Sequence, residues 1–249
     1  IKMRLQKYLA SMGIASRRKI EHWIRNERIT VNGRLAKLGV KVSGQEIIKK
    51  DNQIILCDNV KVAHKHLIYN KRNDEITTRK DPKNRKTVFE SLPRLDKQRW
   101  ISIGRLDLTT TGLLLFTTYF DLANKLMHPS SGITRNYLTR ISGKASKSEI
   151  DLLKTGVMLS DGLASFSNVK FMSSKKLNSW YEVSLNEGRN HEVKRLWGKI
   201  GYKVSKLKRI SFGPINLSRA IKPGSYIYIN DSGVKTLYDS VKNLSSIER

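Results

Sequence analysis

Apolar residues recur along this chain with two different periods, and the element changes where the period does. Leu5, Tyr8, Leu9 and Met12 fall at i, i+3, i+4 and i+7, the stripe of an amphipathic helix that Gly13 ends. Ser16 is placed to cap a second helix, whose Ile20, Trp23 and Ile24 form the buried stripe while Arg17, Arg18 and Lys19 stay outside in its first turn. Cations there oppose the helix dipole by roughly a few tenths of a kcal/mol each, a cost that points to an external use, namely phosphate contact. "ITVNGRLA" follows, with Asn32-Gly33 as a two-residue hairpin turn between strand-like residues.

Further on, "FDLANKLMHP" predicts a helix stopped by Pro129, and "NYLTRIS" alternates as a strand with Tyr137, Thr139 and Ile141 on one face. Ser146 and Glu149 form a capping box for a helix that ends at Gly156. "SWYEVSLNEG" alternates again through Tyr181, Val183 and Leu185, and "HEVKRLWGKIG" returns to the helical period through Val193, Leu196, Trp197 and Ile200. Strands and helices mix without the regular rhythm of a parallel sheet, which predicts an α+β chain with a mainly antiparallel sheet. The polar stretch "CDNVKVAHKH" reads as a linker, giving a small domain over residues 1–60, a connection over 61–66 and a larger domain over 67–249.

Composition narrows the function. The 249 residues, 39% of them hydrophobic, suffice for a real core, and a net charge of +27 is spread along the whole length. Such a spread suits an extended polyanion, and a phosphate backbone is the usual one. The lone Cys57 excludes internal disulfides and multi-cysteine zinc sites, and His64 and His66 make an H-x-H without further ligands, so no metal is expected. No apolar run approaches the ~20 residues that cross a bilayer, and the opening "IKMRLQKYLA" carries no leader core. The expected location is the cytoplasm.

One stretch invites chemistry. "GRLDLTTTGLLLFT", residues 104–117, sets a single aspartate between an arginine and a long apolar run. Taken alone, Asp107 is either a turn device bonding its own backbone or a reagent.

Residues 3–50 resemble the S4 RNA-binding module, most tellingly in the S-R-R at 16–18 and the V-N-G at 31–33. In that module the second helix and the hairpin carry the RNA surface, which implies RNA contact by Arg17, Arg18, Lys19 and Asn32. From about residue 67 to 230, "GRLD" at 104–107, "RNY" at 135–137 and "EGRNHEVKRLW" at 187–197, together with "GLLLFTT", "LANKLMHP" and "RISFGPI", resemble the pseudouridine synthases that modify single sites in bacterial ribosomal RNA. The resemblance is strongest to members acting on the large subunit. It implies isomerisation of a flipped-out uridine without metal, nucleotide or organic cofactor, a sheet flanked by helices, and Asp107 as the essential residue. It also implies that Tyr137 lines the active site, where its ring stacks on the base and its hydroxyl assists proton removal. Arg105 would help hold the uridine out of its helix. Lys194, turned about 100° from Val193 on its helix, becomes the cation beside Asp107, with Arg195 as the adjacent alternative. Arg189 and Arg195 are candidate phosphate ligands. Two positions depart from the family pattern: Tyr119-Phe120 stand where Asp-Gly is common, and Lys71-Arg72 where Lys-Pro is.

The expected partner is ribosomal RNA, free or in an assembly intermediate, met by a monomer. A synthase acting on small-subunit RNA is the alternative within the resemblance, and two other classes compete: an RNA-binding assembly factor without catalysis, and a nucleoside or glycoside hydrolase, which would want a second carboxylate working with Asp107.

Overall fold

The computed structural model describes residues 2–56, 63–96 and 98–242. Cys57 and the first part of the expected linker, residues 61–62, lie outside that range. Two compact units result, one of Ile1–Lys65 with Arg94–Ile101 and Thr117–Ala123, the other of His66–Pro93, Ser102–Phe116 and Asn124–Arg249. The two short segments that join the first unit interrupt the second, a return that a single cut at residues 61–66 does not anticipate.

The first unit opens with strand β1 (Met3–Arg4) and helix α1 (Leu5–Ser11), then α2 (Arg17–Arg25). Ser16 Oγ accepts from Lys19 N at 3.2 Å, as an N-cap does. Next come β2 (Ile29–Val31), β3 (Arg34–Leu35), β4 (Lys41–Val42), β5 (Ile48–Lys50) and β6 (Gln53–Leu56). Asn32 and Gly33, at φ 49° and 81°, make the left-handed turn that pairs Val31 with Arg34. Leu5, Leu9, Ile20, Trp23, Ile24, Ile29 and Ile48 share one core.

The second unit is built on a sheet of β7 (His66–Lys71), β8 (Ile101–Ile103), β9 (Thr110–Thr117), β10 (Arg135–Ser142), β13 (Asn168–Lys175), β14 (Asn178–Leu185), β15 (Val204–Phe212), β16 (Ile215–Asn216) and β17 (Tyr226–Tyr228). Between them run α3 (Phe120–Met127), α4 (Lys147–Thr155), the hairpin of β11 (Val157–Leu159) and β12 (Gly162–Ala164), α5 (Glu192–Lys199) and, last, α6 (Asp231–Lys242). Strand order is β13-β14-β10-β15-β9-β7-β17, and β15 with β9 is the parallel pair in an otherwise antiparallel set of registered neighbours. The chain is therefore α+β with a mixed, mainly antiparallel sheet. Trp197 of α5 packs on Tyr181 and Phe166, with ring centroids 5.0 and 5.9 Å away, and so fixes the helix to the sheet. Ile200, expected in the buried stripe, is the half-buried C-cap, because the helix ends at Lys199.

At the parallel pair, Gly112 faces Arg209 with φ 99°. A Cβ there would overlap the Arg209 carbonyl oxygen. Gly112→Ala is expected to lower the unfolding free energy by at least about 2 kcal/mol, because strained φ and backbone overlap act together. Urea denaturation checks it, and a loss under about 0.5 kcal/mol would contradict the close approach.

Candidate active site

Asp107 lies in the loop from β8 to β9, and that loop is tied down on both sides of it. Thr77 Oγ1 donates to the Leu106 carbonyl at 3.0 Å and accepts from Leu106 N at 3.3 Å. Asp74 N donates to the Leu108 carbonyl at 3.1 Å, and Thr110 N closes a turn on the Asp107 carbonyl at 3.0 Å. Lys71, wholly buried on β7, donates from Nζ to the carbonyls of Leu108 at 3.1 Å, Thr110 at 2.9 Å and Arg72 at 2.9 Å. Burial pulls its ammonium down to about 8, with nearby carboxylates acting the other way.

The Asp107 carboxylate is left open, with 32% of its side chain exposed. Two groups reach it from the start of α5. Lys194 Nζ stands 3.9 Å from Oδ2 while donating to Thr109 Oγ1 at 2.8 Å, and His191 Nε2 stands 3.7 Å from Oδ1. Residues 191 and 194 are three apart, so they point the same way. His191 holds the helix N-cap in the left-handed region at φ 50°. Periodicity finds Lys194 but passes over His191, whose backbone conformation no apolar pattern encodes.

Asp107 borders a cleft of about 920 Å³ whose lining includes Arg105, Tyr137, Arg189, Glu192 and Arg209. Tyr137, on β10, is 8% exposed, and Arg105 is exposed. Arg189 lies at the cleft with its guanidinium engaged, donating from Nε to Glu187 Oε2 at 2.8 Å and from Nη2 to the Leu163 carbonyl at 2.8 Å. Arg195 is committed to Asp161 through a bidentate pair at 2.7 and 2.9 Å, which holds that carboxyl below its usual range. In the first unit Arg17, Arg18 and Lys19 are exposed, and Arg17 covers the Phe120 ring at 4.5 Å. Asn32 Oδ1 accepts from Ile47 N at 2.8 Å, which ties the hairpin turn to the start of β5.

Two carboxyls that sequence spacing does not associate with Asp107, Glu187 and Glu192, line the same cleft. Glu192 is 3% exposed, accepts from Arg189 N at 3.0 Å and leaves Oε1 without a partner. Burial pushes it up to about 7, and sharing a hydrogen bond with Glu187 acts in the same direction.

Residues 65–197 match the family model described as RNA pseudouridylate synthase, and residues 3–48 match that of the S4 domain. The chain is 41% identical over 241 residues to ribosomal large subunit pseudouridine synthase B of Buchnera aphidicola, covering 96% of this chain and 98% of that protein. It belongs to the RNA pseudouridylate synthase family. The Pseudomonas aeruginosa protein of the same description is 44% identical over 240 residues, 96% of this chain, which spans 62% of that relative's length. Among solved structures, a crystal structure of pseudouridylate synthase shares the fold with a TM-score of 0.65 at 22% identity, covering 94% of this chain and 99% of that one. The pinned aspartate loop and the start of α5 fall within the stretch that the RNA pseudouridylate synthase model matches.

Because the folded state binds the Glu192 proton more tightly than the unfolded chain does, its ionisation weakens the fold as pH rises from about 4.5 to about 7. Glu192→Gln is expected to flatten that decline in stability, read from melting temperatures across the interval. A slope unchanged by the substitution would show that Glu192 ionises normally.

Proposed function

We infer that this chain converts a uridine of ribosomal RNA, in the large subunit, into pseudouridine, with Asp107 as the residue on which the reaction depends. The observation that carries this reading is an open carboxylate on a fixed backbone, flanked by Lys194 and His191 at a cleft, in a chain of the RNA pseudouridylate synthase family. The likeness to large-subunit synthases supports the choice of RNA.

The chemistry asks for such a group. The bond from base to ribose must break, the base must turn in place, and a carbon-to-carbon bond must form. A carboxylate splits that into easier steps by attacking the sugar or the base, or by stabilising charge on the sugar. Lys194 offers the carboxylate a neighbouring positive charge when the base closes the cleft and removes water. Tyr137 stacks on the uracil and assists loss of the C5 proton, while Arg105 fills the space the flipped nucleotide leaves. Phosphate contact at the rim falls to Arg189, which lines the cleft, whereas Arg195 is spent on Asp161 and is not part of that lining. Arg17, Arg18, Lys19 and Asn32 serve the S4 unit in the same way. The enzyme works in the cytoplasm as a monomer, on free ribosomal RNA or an assembly intermediate, and its residues supply the chemistry without metal or organic cofactor.

Tritium release from 5-labelled uridine in ribosomal RNA tests the reading, and Asp107→Asn is expected to lower it by at least about 1000-fold. Full turnover by Asp107→Asn removes that residue from its role. No turnover by either protein, with tight RNA binding retained, leaves an RNA-binding factor. Mapping pseudouridines in a strain lacking the gene locates the target. For the S4 unit, replacing Arg17, Arg18 and Lys19 together by alanine is expected to reduce the slope of log affinity against log salt by about 2 to 3. An unchanged slope would take those cations off the RNA.

A further inference from the structure

The cleft contains a cation that neither Asp107 nor the phosphate-binding candidates account for. Arg209 sits mid-strand on β15, 2% exposed, lining the cleft. Its Nε donates to the Leu113 carbonyl at 2.8 Å, but the terminal Nη2 is buried with no hydrogen-bond partner. Arg209 is the cross-strand partner of Tyr137, so the two side chains rise from adjacent positions. Beneath it Phe212 is shared by two guanidiniums, Arg209 at 5.4 Å and Arg135 at 5.0 Å from the ring centroid. Arg135 is anchored on the Ile133 carbonyl at 2.7 Å. Arg209 is therefore held rigid by its Nε bond and the ring, with a donor to spare.

A buried, unsatisfied guanidinium end costs stability, since its desolvation goes uncompensated. Such a cost makes sense where a ligand supplies the acceptor. Depth says which part of the ligand. In a flipped nucleotide the base enters first and the phosphates stay at the rim, so a donor on the floor beside Tyr137 meets the base.

Resting on the pseudouridine reading above, we propose that Arg209 binds a carbonyl oxygen of the flipped uracil and stabilises the negative charge this oxygen gains as the base detaches. When the C1′–N1 bond breaks, its electron pair stays on the uracil and spreads over N1 and the two carbonyl oxygens. A fixed cation in a water-excluded floor stabilises that anion more than it stabilises neutral uridine, which is how binding becomes rate. C5 then bonds to C1′ and loses its proton, and N1 takes up one from solvent, so the product is an isomer of the substrate. Glu192, the buried carboxyl of this floor, does not cancel the charge while it keeps its proton.

The test uses the whole chain and a synthetic RNA fragment centred on the uridine located by mapping, that position being uridine, 2-thiouridine or 4-thiouridine. Sulfur accepts hydrogen bonds more weakly than oxygen. One thio-substitution is expected to slow single turnover by the natural protein about 10-fold, the size of one lost hydrogen bond. Arg209→Lys is expected to slow the uridine fragment about 100-fold with its Kd within about threefold, and to respond to neither thio-substitution. Wild-type turnover by Arg209→Lys overturns the proposal. So does a loss of affinity and salt slope at an unchanged rate, which would make Arg209 a phosphate ligand. Should melting curves show that the variant does not fold, the natural protein decides alone: indifference to both sulfur atoms sinks the contact. Turnover of the unsubstituted fragment separates the two readings, because its absence defeats the synthase assignment as well, whereas its presence with indifferent thio-substrates defeats only Arg209.

Discussion

The ammonium of Lys71 is the interaction on which the site depends. A cation with no exposed surface is tolerated only where acceptors replace its hydration, and here the acceptors are main-chain carbonyls of Leu108 and Thr110, on either side of the turn after Asp107. Moving that turn would strand a charge in the core at a cost of about several kcal/mol. The Thr77 and Asp74 bonds then fix what remains of the loop. Asp107 is thereby held in place through its backbone, and its side-chain oxygens are left to face His191 and Lys194. The expected departure at Lys71-Arg72 does not touch this grip, since the Lys71 ammonium makes the bonds. Arg72 instead turns to Glu75 at 3.3 Å.

With the loop fixed, α5 decides what the carboxylate meets. Val193, Leu196 and Trp197 seat the helix on the sheet, so Lys194 and His191 at its start can only face the β8–β9 loop. Glu192 is carried inward between them by the same seating. A single helix therefore supplies the half-buried cation beside Asp107 and the buried carboxyl of the cleft.

Local chemistry was legible in the sequence wherever it was local. The Ser16 and Ser146 caps, the Asn32-Gly33 turn and the alternation of Tyr137, Thr139 and Ile141 each depend on neighbours within a few residues, and each is found. Lys194 was legible because helical period puts it at the core's edge. Arg209 was missed although its signal exists: alternation in "KLKRISF" sets it on the inward face with Leu207 and Ser211. An arginine on that face reads as a break in the pattern until Tyr137 and Phe212 are seen beside it. Glu192 shares a helix face with Leu196 and is hidden in the same way. The bidentate Arg195–Asp161 pair joins residues 34 apart in sequence, a tertiary outcome that spacing does not encode.

The two kinds of cation in this chain answer two different problems. A charge of +27 at the surface attracts any polyphosphate and is screened beyond about 8 Å at physiological salt, so it gathers RNA without choosing a nucleotide. Among the described residues Lys71, Arg135 and Arg209 are the buried cations, each held by main-chain carbonyls. Salt reaches them poorly, and their donors bond only what fits the cleft in shape and acceptor position. Surface charge and buried charge therefore respond differently to ionic strength: salt screens the first, while the packing of Arg209 and Arg135 on Phe212 lies out of its reach.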